Sequence, residues 1–386
     1  MTAEAIINAQ IIPVVGETFD RGTLIWENQK IRAVGKDIPL PAGIIVHDLQ
    51  GKTVVPGFID AHTHLGIYEE IFAEGDDTNE ATEPVTPELR ALDAVNPFDI
   101  AFKDALSGGI TTVMSGPGSA NVICGLNLVM KTAGRSLEEM VINSQAGMKV
   151  AFGENPKKVY GEQKKMPCTR MAIAALLRQA LTDAENYREK KKKALENGEA
   201  FEKDLGMENL LLVLDRKIPL TAHAHRADDI ATALRIAKEF NVELIAIHGT
   251  EGHKLISQLQ EQKIPVVVGP TLSNRSKVEL AEQNWQTAKL LQEAGVLIAL
   301  TTDHSVIPIQ YLPLCASLAV KNGLSEEAAL QAITINPARI LGLEDRIGSL
   351  ENGKDADFVI LDGHPFDWRS KVEQVYINGQ EVYKSN

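Results

Sequence analysis

Eight apolar runs between residues 58 and 303 constrain the fold more than any other feature: 58–65, 110–115, 126–130, 148–153, 219–225, 242–249, 265–271 and 296–303. They are continuous rather than alternating, the pattern of strands buried on both faces of a parallel sheet. Helix-like stretches lie between them, at 97–106, 170–197, 227–240, 251–260 and 277–293. Eight such units within residues 56–345 predict a (β/α)8 TIM barrel, an α/β fold.

The chain ends read differently. Short runs at 5–7, 22–26 and 30–34 are separated by Gly, Asn and Asp, with a hairpin tip at 27–30. At the other end, 357–362 and 375–383 read as strands, the latter folded at Asn378-Gly379, a strong hairpin signal. Neither end alone has enough strands to bury a core. Together they predict a small β-sandwich built from 1–55 plus 346–386, with the barrel, 56–345, inserted between its halves.

Composition narrows the class. The apolar fraction of 44% and charged fraction of 24% are those of a globular protein. A net charge of −13 argues against nucleic acid, which needs a basic face. No apolar run approaches the ~20 residues that span a bilayer, so no membrane partner is expected. Met1-Thr2-Ala3-Glu4-Ala5 lacks a basic segment leading into an apolar one, so no signal peptide is expected. Three scattered cysteines suit a reducing, cytoplasmic setting.

Histidines carry the chemistry. In Pro56-Gly57-Phe58-Ile59-Asp60-Ala61-His62-Thr63-His64 the first strand ends in two histidines at i and i+2, which face the same side. His223 closes the fifth strand, His248 the sixth and Asp303 the eighth. Each alone reads as a core or rim side chain. In a barrel these ends converge at the C-terminal mouth, where active sites of the fold lie. Four imidazoles and a carboxylate there form a ligand set for a divalent transition metal. His225 shares a face with His223, and Arg226 and Tyr160 lie near the mouth; these three are candidate substrate contacts. The acidic, aperiodic segment 66–96, which includes Glu74, follows the first strand and reads as a lid or substrate wall.

The chain resembles the amidohydrolase superfamily over essentially its full length. The resemblance rests on the 56–64 stretch, on His223, His248 and Asp303, and on Gly348-Ser349-Leu350-Glu351-Asn352-Gly353-Lys354-Asp355-Ala356-Asp357-Phe358-Val359. Within the superfamily it is most similar to the imidazolonepropionase-like group, which includes prolidase-like dipeptidases. The resemblance implies hydrolysis of a C–N bond (amide, cyclic amide or dipeptide) in a small-molecule substrate. It implies one or two divalent ions, zinc first, with manganese or iron as alternatives, and leaves a homo-oligomer open. Asp303 is then the proton shuttle, taking the proton of the attacking water and passing it to the leaving amine. Two-metal members bridge their ions with an anion from the fourth strand. Glu154 is expected in that role, since it lies about as deep in its strand as the other ligands. A carboxylated Lys149, nearer the strand start, is the alternative. An amino-heterocycle deaminase on the same scaffold competes, although such deaminases carry a glutamate where Arg226 stands. A non-enzymatic member is disfavoured by the intact ligand set.

Overall fold

Both chain ends feed one sheet. The computed structural model describes residues 3–71 and 76–385, so Glu74 lies outside the described residues. Strands β1 (Glu4–Ile11), β2 (Phe19–Glu27), β3 (Lys30–Gly35), β4 (Ile45–Asp48) and β5 (Thr53–Pro56) come first. The barrel strands follow: β6 (Phe58–Thr63), β7 (Ile110–Ser115), β8 (Ile123–Lys131), β9 (Val141–Ala151), β10 (Leu220–Ala224), β11 (Leu244–His248), β12 (Val266–Val268) and β13 (Ile298–Leu300). The chain closes with β14 (Phe358–Leu361), β15 (Val372–Ile377) and β16 (Gln380–Lys384).

The terminal sheet has the order β16-β15-β14-β5-β1-β2-β3, with β4 beside β1. Its two halves join where β14 runs antiparallel to β5, Val359 opposite Val55. Leu24, Trp26, Val54, Phe358 and Tyr376 form its core. Both hairpins turn on two residues with positive φ, Asn28 (51°) with Gln29 (70°) and Asn378 (52°) with Gly379 (72°). Left-handed pairs of this kind match the right-handed twist of the flanking strands.

The second sheet, β6 to β13 in sequence order, is a nearly closed barrel. Side chains and loop backbone complete its seam. Buried Asp60 accepts hydrogen bonds from Thr302 N (3.0 Å) and Thr302 Oγ1 (2.7 Å). Thr301 Oγ1 donates to the His62 carbonyl (2.6 Å), and His64 N donates to the His304 carbonyl (2.7 Å).

One strand departs from the expected all-parallel order. β8 runs antiparallel to both β7 and β9. The cause is connection length: seven residues, 116–122, precede β8 and nine, 132–140, follow it, whereas a parallel return needs a dozen or more.

Helices coat the barrel: α1 (Ala101–Ser107), α2 (Leu137–Met140), α3 (Glu154–Glu162), α4 (Arg170–Asn197), α5 (Leu205–Leu214), α6 (Ala227–Phe240), α7 (Ile256–Glu261), α8 (Gln286–Glu293), α9 (Leu312–Lys321), α10 (Glu326–Gln331) and α11 (Ile335–Ile340). The long α4 starts at Thr169, whose side chain caps Ala172 N, and stops at Gly198 in a left-handed conformation. Among the described residues no helix is long and apolar enough to cross a membrane.

Candidate metal centre at the barrel mouth

A cavity of about 300 Å³ opens at the C-terminal ends of the parallel strands. His62, His64, Lys149, His223, His225, His248 and Asp303 line it together. Two sets of donor atoms lie within 4.8 Å of one another: His62, His248 and Asp303, and His223, His225 and His248. His248 belongs to both and joins them.

Local backbone aims these side chains. His248 has φ 73° and Asp303 φ 52°, left-handed values uncommon outside glycine. Ile245 and Ile247 pack inside the barrel, so regular alternation would turn His248 away from it. The positive φ at the strand end swings His248 back into the mouth.

Hydrogen bonds then fix the rings. Nδ1 of His248 donates to the Gly269 carbonyl (2.8 Å) and Nδ1 of His64 to the Gly116 carbonyl (2.7 Å). Nδ1 of His225 bonds Thr250 Oγ1 at 2.8 Å. Each leaves Nε2 for the cavity, the arrangement that orients a metal-binding imidazole. His225 stacks on His248, with centroids 4.4 Å apart and planes 8° apart. Asp303 Oδ1 lies 3.2 Å from His62 Nε2 and 3.6 Å from His64 Nε2.

The electrostatics suit a cation. Burial first, then the Lys149 charge, lower His62 to about 3. Burial lowers His225 to about 4 and holds His223 and His248 well below their ordinary range. All four rings are therefore neutral at pH 7, as metal ligation requires. Burial would raise Asp303, but the imidazoles of His248, His62 and His64 outweigh it and keep the carboxylate ionised. Both ring nitrogens of His223 are buried without a hydrogen-bond partner. Orphaned polar atoms of this kind call for a missing ligand or ion. The donor set fits a divalent metal.

The expected ligands His62, His64, His223, His248 and Asp303 all reach this mouth, and His225, expected to touch substrate, joins them. Glu154 does not. It is the first residue of α3 and is absent from the cavity wall. Gly153, with φ 85°, ends the strand conformation and turns the chain away first. Lys149 is present instead, 1% exposed, with Nζ 3.1 Å from His62 Nε2. Depth in the strand misleads here because a lysine side chain spans roughly 6 Å, about two strand residues at ~3.3 Å each. Burial lowers Lys149 to about 8.

Two further candidate contacts lie away from the cavity wall. Tyr160 is buried under the 116–121 loop, its hydroxyl donating to Asn121 Oδ1 (2.5 Å). Arg226 points to solvent and forms a two-point ion pair with Asp228 at 2.9 and 3.0 Å. Neither lines the cavity. The 66–96 segment does, through Tyr68, Asp76, Thr78 and Asn79.

One residue escaped the sequence reading. Glu279 lies behind the cavity wall, 1% exposed and 3.8 Å from His223 Nε2, in a segment, 277–285, expected to begin a helix. Only 278–280 form a short 3-10 turn, and the α-helix starts at Gln286. The barrel and its His-Asp mouth place the chain in a class, the barrel hydrolases, whose members typically depend on a divalent metal. The Amidohydrolase family model matches residues 53–382, and the chain belongs to that family. It is a hydrolase of the kind that acts on carbon–nitrogen bonds.

The chain is 29% identical over 393 residues to Amidohydrolase tasK of Hapsidospora irregularis, a match covering 95% of this chain but only 40% of that relative. It is 24% identical over 392 residues to an Imidazolonepropionase of Thermoplasma volcanium, covering 95% of this chain and 91% of that one. The crystal structure of an amidohydrolase from Thermotoga maritima superposes with a TM-score of 0.97 at 49% identity, covering 99% of this chain and 100% of that chain.

Proposed function

We propose that the protein is a metal-dependent hydrolase that cleaves an amide, cyclic amide or dipeptide bond of a small polar substrate. The observation that carries this reading is the convergence of His62, His64, His223, His248 and Asp303 on one buried cavity. The imidazolonepropionase resemblance supports the cyclic amide in particular. A bound divalent ion, zinc in our reading, makes water acidic enough to lose its proton near neutral pH and polarises the scissile carbonyl.

The chain's own residues do the rest. His62, His64 and Asp303 hold one side of the mouth, and His223 and His248 the other. Lys149 lies beside His62, and carboxylated on its amine it would offer two oxygens to both sides; its pKa near 8 leaves part of it as the neutral amine that reaction needs. Asp303 takes the proton of the attacking water on a carboxylate oxygen and returns it to the leaving nitrogen. Tyr68, Pro270, Leu280 and Val306 are the few apolar side chains of a wall otherwise made of polar residues such as Asp76, Asn79, Asn274 and Lys277, which suits a small polar substrate.

The test is elemental analysis of protein purified without chelator, followed by a screen of N-acyl amino acids, dipeptides, cyclic amides and amino-heterocycles. Less than about half an equivalent of metal per chain, with no activity restored by Zn²⁺ or Mn²⁺, would sink the reading. Turnover confined to amino-heterocycles would make it a deaminase.

A further inference from the structure

Glu279 has no part in the chemistry described above, yet it is among the most enclosed charged groups of the molecule. It is 1% exposed. Its two oxygens have different fates. Oε2 accepts the backbone N–H of Glu154 at 3.0 Å. Oε1 is buried with no hydrogen-bond partner. That oxygen faces two imidazoles, lying 3.8 Å from His223 Nε2 and 3.9 Å from His225 Nε2. The ammonium of Lys277, 3.7 Å away, is its nearest opposite charge, but Lys277 Nζ gives its hydrogen bond to Asn155 Oδ1 at 2.7 Å.

The spacing discriminates between two roles. A hydrogen bond needs about 2.9 Å between heavy atoms, so Oε1 would have to close roughly 1 Å on both rings. Two donors each about 2.0–2.2 Å from one ion stand roughly 3.4 Å apart at the tetrahedral angle. The observed distances lie nearer the second arrangement. A buried carboxylate with an unused oxygen is also costly unless paired or metal-bound.

The local chain is shaped to admit this side chain. Gly153, at φ 85°, faces it, and a Cβ there would stand 2.7 Å from Glu279 Oε2. His225 is likewise prepared, since its Nδ1 is held by Thr250 and its Nε2 is free.

We infer that Glu279, carried against the His223–His225 pair by the loop after β12, is together with His225 a ligand of the divalent ion on the His223 side of the mouth. This rests on the metal-dependent reading, in which His223 already belongs to the second side of the mouth, and adds to that side an anionic donor from outside the barrel strands. Such a site holds its ion with two imidazoles and a carboxylate, a set that suits Zn²⁺ and its first-row neighbours.

The experiment uses the full chain, stripped by chelator and titrated with Zn²⁺ against a chromophoric competitor, then with Co²⁺ to follow its visible absorption. The variants are Glu279→Gln, which keeps an acceptor for the Glu154 N–H, and His225→Asn, which keeps a polar atom near Thr250. The parent is expected to take up two equivalents. Each variant is expected to keep the tighter equivalent and to bind the other at least about 10-fold more weakly, with an altered Co²⁺ spectrum for that equivalent alone. Parent-like affinity and spectrum for both equivalents in both folded variants would reduce Glu279 to a partner of Lys277 and overturn the inference. A parent that binds one equivalent, unchanged in Glu279→Gln, would overturn it too while leaving the proposed function intact. A parent that binds none would overturn both.

Discussion

Two lysines in neighbouring strands, each 1% exposed, sit at opposite ends of the barrel and do opposite things. Lys131 closes β8, which runs against its neighbours, so it lies at the foot of the barrel opposite Thr112 near the start of β7. Its ammonium bonds Asp357 and, at 3.0 Å, Asp355. Asp355 also takes Lys30 (2.7 Å) and Arg346 (2.8 Å). Lys149, near the end of β9 at the mouth, has an imidazole rather than a carboxylate within hydrogen-bonding distance. A buried ammonium surrounded by carboxylates ties elements together. One left without them is pushed toward its neutral, reactive form. The foot of the barrel is thus built to hold the two sheets together, and the mouth is left unsatisfied for chemistry.

Substitutions at the two ends should separate these roles. The largest expected effect is at the mouth: Asp303→Asn should lower kcat/KM by up to ~10⁴-fold, about 5 kcal/mol of transition-state stabilisation, with Tm little changed. Retained turnover would remove Asp303 from the proton path. At the foot, Lys131→Met should reverse the pattern. It leaves Asp355 and Asp357 buried without their central cation and should cost about 3–5 kcal/mol in denaturant unfolding, with metal content unaltered. A variant as stable as the parent would break the comparison. Lys149→Met should be smaller again, a loss of roughly 10–100-fold in metal affinity on both sides of the mouth, with stability equal to or above the parent's because a desolvated amine is removed. A loss of stability like that of Lys131→Met would mean that both lysines are structural.

The sequence made the two ends unequally legible. Strand positions were readable because continuous apolar runs leave few alternatives, and α4 and α6 were readable as the helix-like stretches 170–197 and 227–240 between them. The direction of β8 was written in the short connections on either side of it, but an eight-strand count hid it. His62, His64, His223, His248 and Asp303 were readable because strand ends converge in a barrel. Lys149 reaches the mouth and Glu154 does not, because side-chain reach counts as well as backbone depth. Glu279 could not be found from pattern at all: its segment has helical composition, and only tertiary packing brings it against Gly153 and the His223–His225 pair. The Lys131 cluster was equally hidden, because Lys131 is more than 200 residues from Asp355 and Asp357 in sequence.

The smallest expected effect tests the foot of the barrel through pH. Burial alone would raise the pKa of Asp355, but the charges of Lys131, Lys30 and Arg346 outweigh it and hold the carboxyl below its ordinary value. A carboxyl depressed in the folded state binds its proton more readily when unfolded. Its stabilising contribution is therefore complete above the unfolded value, near ~3.9, and fades as pH falls from there through the lower folded value. Unfolding free energy measured in urea should decline below about pH 4. Asp355→Asn, less stable at pH 7, should show a shallower decline over the same interval, so that the two proteins converge in acid. Parallel curves would show that the cluster's charge does not stabilise the junction. The contrast with the mouth would then rest on packing instead of on paired and unpaired lysines.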